Sequence, residues 1–159
     1  MKHKDGVTTN QIAEFHRSHK IFGLRAKQEL KRAERYCEFL SLVIIDITSL
    51  SKFTEKTNKI TKKTQGLQRN LEDMVREGVR ETDIVSQFEN NRLALLLPET
   101  PKEGADCAYK RLKEEIKAFA SSFFRIPQEW EAPAEIVSFP DKEDGRERFL
   151  AFAQRFELG

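Results

Sequence analysis

Apolar side chains along the chain recur at helical spacing in some segments and in short continuous runs in others. Near the amino terminus, mostly apolar or small residues follow one another every three or four positions. They are Ile12, Phe15, His19, Phe22, Ala26, Leu30, Ala33 and Cys37. This spacing predicts a helix over 9–36, capped by Thr8 or Thr9, after a disordered start at 1–8. The helix either packs on its own domain or forms a short dimerising coiled coil.

The central part of the chain contains one strand and one long helical segment. FLSLVIIDI (39–47) is short, apolar and β-branched, which is typical of a buried strand, and it carries Asp46 near its end. Residues 49–79 are predicted to be helical, with a break or bend around 57–64. The best helical spacing is at Leu67, Leu71, Met74, Val75 and Val79.

A hairpin is predicted next, in RETDIVSQFENNRLALLLPET (80–100). Two apolar runs flank Glu89-Asn90-Asn91, and asparagine tolerates the positive φ values of tight turns. Pro101 then begins a helix that extends to about Ala120. Strands are predicted at 123–126 and 134–139, and a last helix follows Asp141 or Asp144.

The order of these elements predicts one α+β domain over 37–159. A hairpin that lies between helices and single strands favours a central mixed sheet with helices on its faces, ferredoxin-like in plan. The chain of 159 residues is long enough for a single core.

Composition narrows the possible functions only slightly. A net charge of +2 gives no reason to expect bulk binding to nucleic acid, and no apolar run suggests membrane insertion. The two cysteines lie far apart, without a CxxC motif or a histidine cluster, so no metal site is expected. The amino terminus has no apolar signal-peptide core, and a cytoplasmic location is the expectation.

Together, FLSLVIIDI, the hairpin segment and the later YKRLKEEI resemble the GGDEF domain of diguanylate cyclases. These enzymes condense two GTP molecules into cyclic di-GMP. The resemblance is collinear over roughly 15–157. It implies a GGDEF-type sheet and a role in second-messenger signalling.

The signature loop of the family is altered in this chain. Glu89, Asn90, Asn91, Arg92 and Leu93 stand where the family has Gly-Gly-Asp/Glu-Glu-Phe. In the family the glycines let the nucleotide approach the backbone, and the acidic third position binds magnesium with an aspartate of the first strand. Asp46 retains the strand position, whereas Asn91 offers only a neutral amide.

Two further family features are altered. Thr54 stands for the guanine-reading asparagine, and the carboxyl-terminal phosphate clamp has no match in AFAQRFELG. The resemblance with these losses therefore implies a domain with no catalytic residues, no metal and no cofactor.

The product-inhibition site of the family, in contrast, is retained. Its Arg-x-x-Asp motif corresponds to Arg80 and Asp83, and its arginine on the following helix corresponds to Arg111. Arginine can donate to guanine O6 and N7 or to phosphate, and aspartate can accept from guanine N1 and N2. The resemblance thus implies a cyclic di-GMP receptor.

Two alternatives remain open from the sequence. The chain could be a protein-interaction or scaffold domain, with a protein partner or a second copy as its partner. It could also bind GTP without chemistry, through Asp46. The structural explanation of the retained motif also stands, because Arg80 could neutralise a helix end and Asp83 could cap a turn.

Overall fold

A computed structural model of the chain describes residues 20–50, 70–87, 92–122, 125–142 and 144–158. Its helices are α1 (20–36), α2 (70–78), α3 (Lys102–Ser121) and α4 (Gly145–Leu158), and residues 48–50 are also helical. Its strands are β1 (Leu40–Asp46), β2 (Ile84–Gln87), β3 (Arg92–Pro98) and β4 (Ala134–Phe139). None of the helices in these ranges is long and apolar enough to cross a lipid bilayer.

The four strands form one sheet in the order β2-β3-β1-β4. The predicted α+β class with a helix-flanked, ferredoxin-like sheet is confirmed. The prediction of mixed strand directions is wrong for the described strands, because all three neighbouring pairs are antiparallel. The helical connections join β1 to β2 and β3 to β4, and neither of these pairs is adjacent in the sheet. The crossovers therefore create no parallel neighbours.

Strand β1 is buried on both faces because each face supports a separate core. Val43 and Ile45 point into a cluster that includes residues of α2 and α3. Leu42 and Ile44 point to the other side, into a cluster formed with α1 and α4. The two-residue period of a strand thus explains why nearly every position of this segment is apolar.

Helix α1 uses its predicted apolar stripe to pack on its own domain. Phe22, Ala26, Leu30 and Ala33 are all buried there. The ring of Phe22 lies 4.6 Å from that of Phe156 on α4, measured between centroids. The stripe predicted for a coiled coil is therefore occupied within the domain over 20–36. Residues 9–19 of the predicted helix and its cap lie outside the described residues.

The predicted boundaries of most other elements agree with the structure. Strand β4 matches the predicted range, and β1 is shorter than its predicted range by one residue at each end. The strand predicted at 123–126 is wrong at 125 and 126, which have no regular structure, while 123 and 124 lie outside the described residues. The bend predicted around 57–64 also lies outside them.

Substitution of Phe149 by alanine tests the core that the sheet forms with α1 and α4. This side chain is fully buried, so its removal should lower the free energy of unfolding by about 3–5 kcal/mol. The matched control is Tyr36→Ala, whose side chain is 61% exposed, with an expected change within about 0.5 kcal/mol. Urea unfolding followed by the fluorescence of the buried Trp130 measures both. Equal losses of unfolding free energy in the two variants would contradict the assignment of Phe149 to this core.

Candidate functional site

Two regions of the sheet carry the residues that the sequence singled out. The first is the tip of the β2–β3 hairpin, where Glu89, Asn90 and Asn91 lie outside the described residues, as does Thr54. Arg92 and Leu93 begin β3, and Leu93 is buried in the core. Leu93 therefore serves packing, and Arg92 is the described side chain of this loop that can act at the surface.

Arg92 lies directly opposite Asp46 in the antiparallel register of β3 and β1. Its Nε is 3.6 Å from Asp46 Oδ2, and both side chains are about one-third exposed. The other carboxylate oxygen, Oδ1, accepts a hydrogen bond of 2.9 Å from the amide of Thr48. The carboxylate at the end of β1 thus faces a guanidinium across the strand pair. Within the described residues, no group of three or more His, Cys, Asp or Glu side chains is placed to hold a metal.

The surroundings of Asp46 lower its pKa below the ordinary value of 3.8. Partial burial raises the pKa of this carboxyl, but hydrogen bonds from the side chain and backbone of Thr48 lower it. The charge and hydrogen bond of Arg92 lower it further, and these effects together exceed the effect of burial. Asp46 is therefore ionised at neutral pH and electrostatically paired.

The second region is the turn between α2 and β2, where Arg80 and Asp83 bind each other. The amide of Asp83 donates to the carbonyl of Arg80 at 3.0 Å, and the amide of Arg80 donates to Asp83 Oδ2 at 2.9 Å. The guanidinium Nη2 donates to Asp83 Oδ1 at 3.0 Å. The Asp83 side chain is only 5% exposed, whereas that of Arg80 is 54% exposed. Asp83 therefore faces Arg80, and Arg80 faces the surface.

Arg80 also reaches across to the end of β3. Its Nη2 donates to the carbonyl of Pro98 at 2.7 Å and to the hydroxyl of Thr100 at 2.6 Å. Within the described residues, Nη1 makes no hydrogen bond. One side of the guanidinium is therefore held by protein, and its Nη1 group remains available to a ligand.

Arg111 on α3 binds the end of α2 from another direction. Its Nη2 donates to the carbonyl of Gly78 at 2.7 Å, and its Nε lies 3.9 Å from a carboxylate oxygen of Glu115. Gly78 is the last helical residue of α2, whose final carbonyls lack partners within the helix. Arg111 thus lies at the same helix end as Arg80, and its side chain is 54% exposed.

A shallow, open cleft of about 410 Å³ lies beside this turn. It is lined by Arg76, Glu77, Val79, Arg80, Glu81, Asp83, Ile84 and Val85. Arg111 is not among its lining residues, although it contacts Gly78, which lies between the lining residues Glu77 and Val79. Arg80 and Arg111 therefore lie around the end of α2, next to a shallow cleft whose lining is partly apolar.

The structure brings Arg80 and Asp83 into direct contact and places Arg111 at the same end of α2. The role predicted from the sequence required Asp83 to be an exposed hydrogen-bond acceptor. In the structure its side chain is only 5% exposed. Thr100 was missed by sequence reasoning, because a threonine between a strand and Pro101 is an ordinary turn residue. Its hydroxyl at the end of β3 indicates a possible hydrogen-bonding role. Its partner, Arg80, lies 20 positions away and could not be identified from the sequence.

Replacement of Arg92 by glutamine tests the pairing with Asp46. The pKa of Asp46 should rise towards 3.8, because a cation and a charged hydrogen-bond donor are lost. A lowered folded-state pKa stabilises the fold above the unfolded-state pKa, and this contribution is lost as pH falls through the folded-state value. The stability difference between wild type and variant should therefore be present at neutral pH and shrink below 3.8. Carboxyl ¹³C titration measures the pKa, and an unchanged value would show that Arg92 has no effect.

Comparisons with known proteins agree with this architecture. The family model of the diguanylate cyclase GGDEF domain matches residues 17–155. The active GGEEF domain of a Vibrio cholerae diguanylate cyclase has 14% identity and a TM-score of 0.62, covering 77% of this chain and 76% of that one. The GGDEF domain of DgcB from Caulobacter crescentus, solved with c-di-GMP, has 12% identity and a TM-score of 0.63, covering 89% and 85%.

A third solved structure contains a protein partner. The diguanylate cyclase SiaD of Pseudomonas aeruginosa, in complex with its activator SiaC, has 12% identity and a TM-score of 0.57, covering 97% of this chain and 65% of that one. A search of curated proteins found no significant match. The solved structures establish the fold, and the family model spans most of the sequence. The chain therefore belongs to the family of GGDEF domains of diguanylate cyclases.

Proposed function

We propose that this chain is a catalytically inactive GGDEF domain that binds cyclic di-GMP through Arg80, Asp83 and Arg111. The observation that carries the proposal is the held guanidinium of Arg80, whose Nη1 makes no hydrogen bond within the described residues. A structural neighbour, DgcB from Caulobacter crescentus, was solved in complex with c-di-GMP. The proposal transfers that ligand class to this chain.

The proposed loss of cyclase activity is argued from the charges of Asp46 and Arg92 at the end of β1. A magnesium site for GTP needs several oxygen ligands and favours carboxylates. Asp46 supplies one carboxylate, and its cross-strand neighbour is the cation Arg92. The loop sequence adds Asn91, which is neutral, and Glu89, whose side chain replaces a glycine. These residues do not fit a magnesium ion, because a fixed cation already lies against the one retained carboxylate.

The ligand chemistry rests on the exposed arginines. Guanine presents O6 and N7 as neighbouring acceptors, and a cyclic dinucleotide also presents phosphate oxygens. A guanidinium donates to either group and also stacks on a flat base. Arg80 and Arg111 both offer such groups at the end of α2, and both are about half exposed.

Asp83 has an indirect role in this proposal. Its carboxylate is almost buried and binds both the amide and the guanidinium of Arg80. It therefore orients Arg80 towards the ligand, instead of accepting from guanine itself. The same contacts would also stabilise the turn in a domain that binds no ligand, so a binding measurement has to separate the two roles.

A second candidate function is protein interaction on the same fold. Ile21, Leu24, Tyr36 and Phe39 are large apolar side chains that are about half exposed or more, on or just after α1. Scattered exposed apolar residues are common, but three on α1 and one just after it favour a contact surface. The SiaD neighbour was solved with a protein activator, which supports this class of function for the fold.

Calorimetric titration of cyclic di-GMP tests the receptor proposal. The wild-type domain should bind with micromolar or tighter affinity and about two ligands per domain, because the resemblance to the family implies a site for a stacked ligand dimer. Arg80→Ala should weaken binding by at least about tenfold, equivalent to about 1.4 kcal/mol. The physical reason is the loss of charge-assisted hydrogen bonds to the ligand.

Arg148→Ala is the matched control for this titration. Arg148 is on α4, its side chain is 51% exposed, and it lies outside the proposed site. Its replacement should leave the affinity unchanged, and thermal unfolding should show that the Arg80 variant remains folded. Absence of binding by the wild type would refute the receptor proposal and favour the interaction domain. Equal affinity in wild type and Arg80→Ala would refute the assigned site.

Incubation with GTP and magnesium tests the loss of catalysis. No cyclic di-GMP should form above the no-protein background, because the charge at Asp46 is already neutralised by Arg92. An active diguanylate cyclase assayed in parallel controls for substrate and metal, and chromatography with mass detection measures the product. Formation of cyclic di-GMP would overturn the assignment as an inactive domain.

A further inference from the structure

Thr100 lies where β3 ends, and its hydroxyl binds two groups at once. The hydroxyl accepts from Arg80 Nη2 at 2.6 Å and donates to the carbonyl of Pro98 at 2.9 Å. The same Nη2 donates to the Pro98 carbonyl at 2.7 Å, which closes a small ring of hydrogen bonds. Thr100 is 8% exposed, so its hydroxyl is largely shielded from solvent, whereas the Arg80 side chain is 54% exposed.

The position of Thr100 is itself fixed by the sheet. Glu99 before it has a φ of 54°, which turns the chain sharply after the strand. The Thr100 carbonyl accepts a hydrogen bond of 2.8 Å from the hydroxyl of Ser41 on β1. Ser41 also lies 2.8 Å from the hydroxyl oxygen of Ser138 on β4, and both serines are buried. The threonine is thus anchored to the central strand β1 and, through Ser41, to the edge strand β4.

Asp83 and Thr100 hold Arg80 from two separate elements. Asp83 belongs to the turn before β2, whereas Thr100 follows β3, and both bind the same Nη2 atom. Asp83 alone would leave the guanidinium attached to a short turn at an edge strand. The contacts with Pro98 and Thr100 connect it to the body of the sheet. This grip leaves Nη1 without a hydrogen bond inside the described ranges.

We propose that Thr100 is a positioning residue for the cyclic di-GMP site: its hydroxyl holds Arg80 so that Nη1 faces the ligand. The inference rests on the proposed function and adds a residue that the Arg-x-x-Asp motif does not contain. An arginine side chain has many rotamers, and ordering it on binding reduces affinity. A guanidinium that is already fixed in the free protein avoids that loss.

Thr100→Val and Thr100→Ser separate the hydroxyl from the shape of the side chain. Valine keeps the branched shape and removes both hydrogen bonds, so cyclic di-GMP affinity should fall by about three- to tenfold, the change expected for one side chain that must be ordered on binding. Serine keeps the hydroxyl and should restore most of the affinity. Ser122→Ala is the matched control, because it removes a hydroxyl that donates to the carbonyl of Phe119 at the end of α3 and makes none of the contacts that hold Arg80. It should have little effect on affinity.

The mobility of the Arg80 side chain supplies a readout independent of binding. The heteronuclear ¹⁵N NOE of Arg80 Nε should indicate a rigid group in wild type and Thr100→Ser, and a mobile one in Thr100→Val. Equal affinities of wild type and Thr100→Val would overturn the inference, as would equal losses in the valine and serine variants. If the wild type binds no cyclic di-GMP, the proposed function fails. The NOE then still decides whether Thr100 fixes Arg80, and a rigid Arg80 in Thr100→Val would refute that role.

Discussion

Strand β1 is the element on which the rest of the structure depends. It is hydrogen-bonded on both sides, to β3 and to β4, and each of its faces supports a separate core. A strand in this position has no solvent-exposed edge and few positions where polar groups are tolerated. The polar groups that it does carry are therefore informative. Ser41 lies within it and bonds two other elements, and Asp46 lies at its end, where the sheet meets solvent.

The two polar groups of β1 serve two different regions. Asp46 binds Arg92 at the hairpin end of the sheet, and Ser41 supports the turn that holds Arg80. The proposed loss of chemistry and the proposed retention of ligand binding thus concern separate contacts of one strand. The pair of Asp46 and Arg92 shares no residue with the hydrogen bonds of the Thr100 hydroxyl to Arg80 and Pro98. This separation gives a physical reason why one site can be lost while the other persists in the same fold.

The sequence predicted the elements better than it predicted the contacts between them. Strand β1 was predicted because its two buried faces require an almost continuous apolar run. The hairpin was predicted because two such runs flank turn residues. The antiparallel pairing of every neighbouring strand was not predicted, because strand direction depends on which strands become neighbours. The burial of Asp83 and the hydrogen bond between Arg80 and Thr100 also could not be predicted from the sequence. The latter joins residues 20 positions apart across two strands, and neither residue type requires the other.

The opposition of Arg92 and Asp46 also affects the stability of this end of the sheet. Opposite charges that face each other across neighbouring strands stabilise the pair, whereas like charges there are destabilising. Replacement of Arg92 by an acid would place two carboxylates side by side, and the sheet would lose stability until a cation bound between them. The present pair, in contrast, balances its charges without a bound cation. The sign of the charge at position 92 therefore determines whether this end of the sheet is stable without a bound cation.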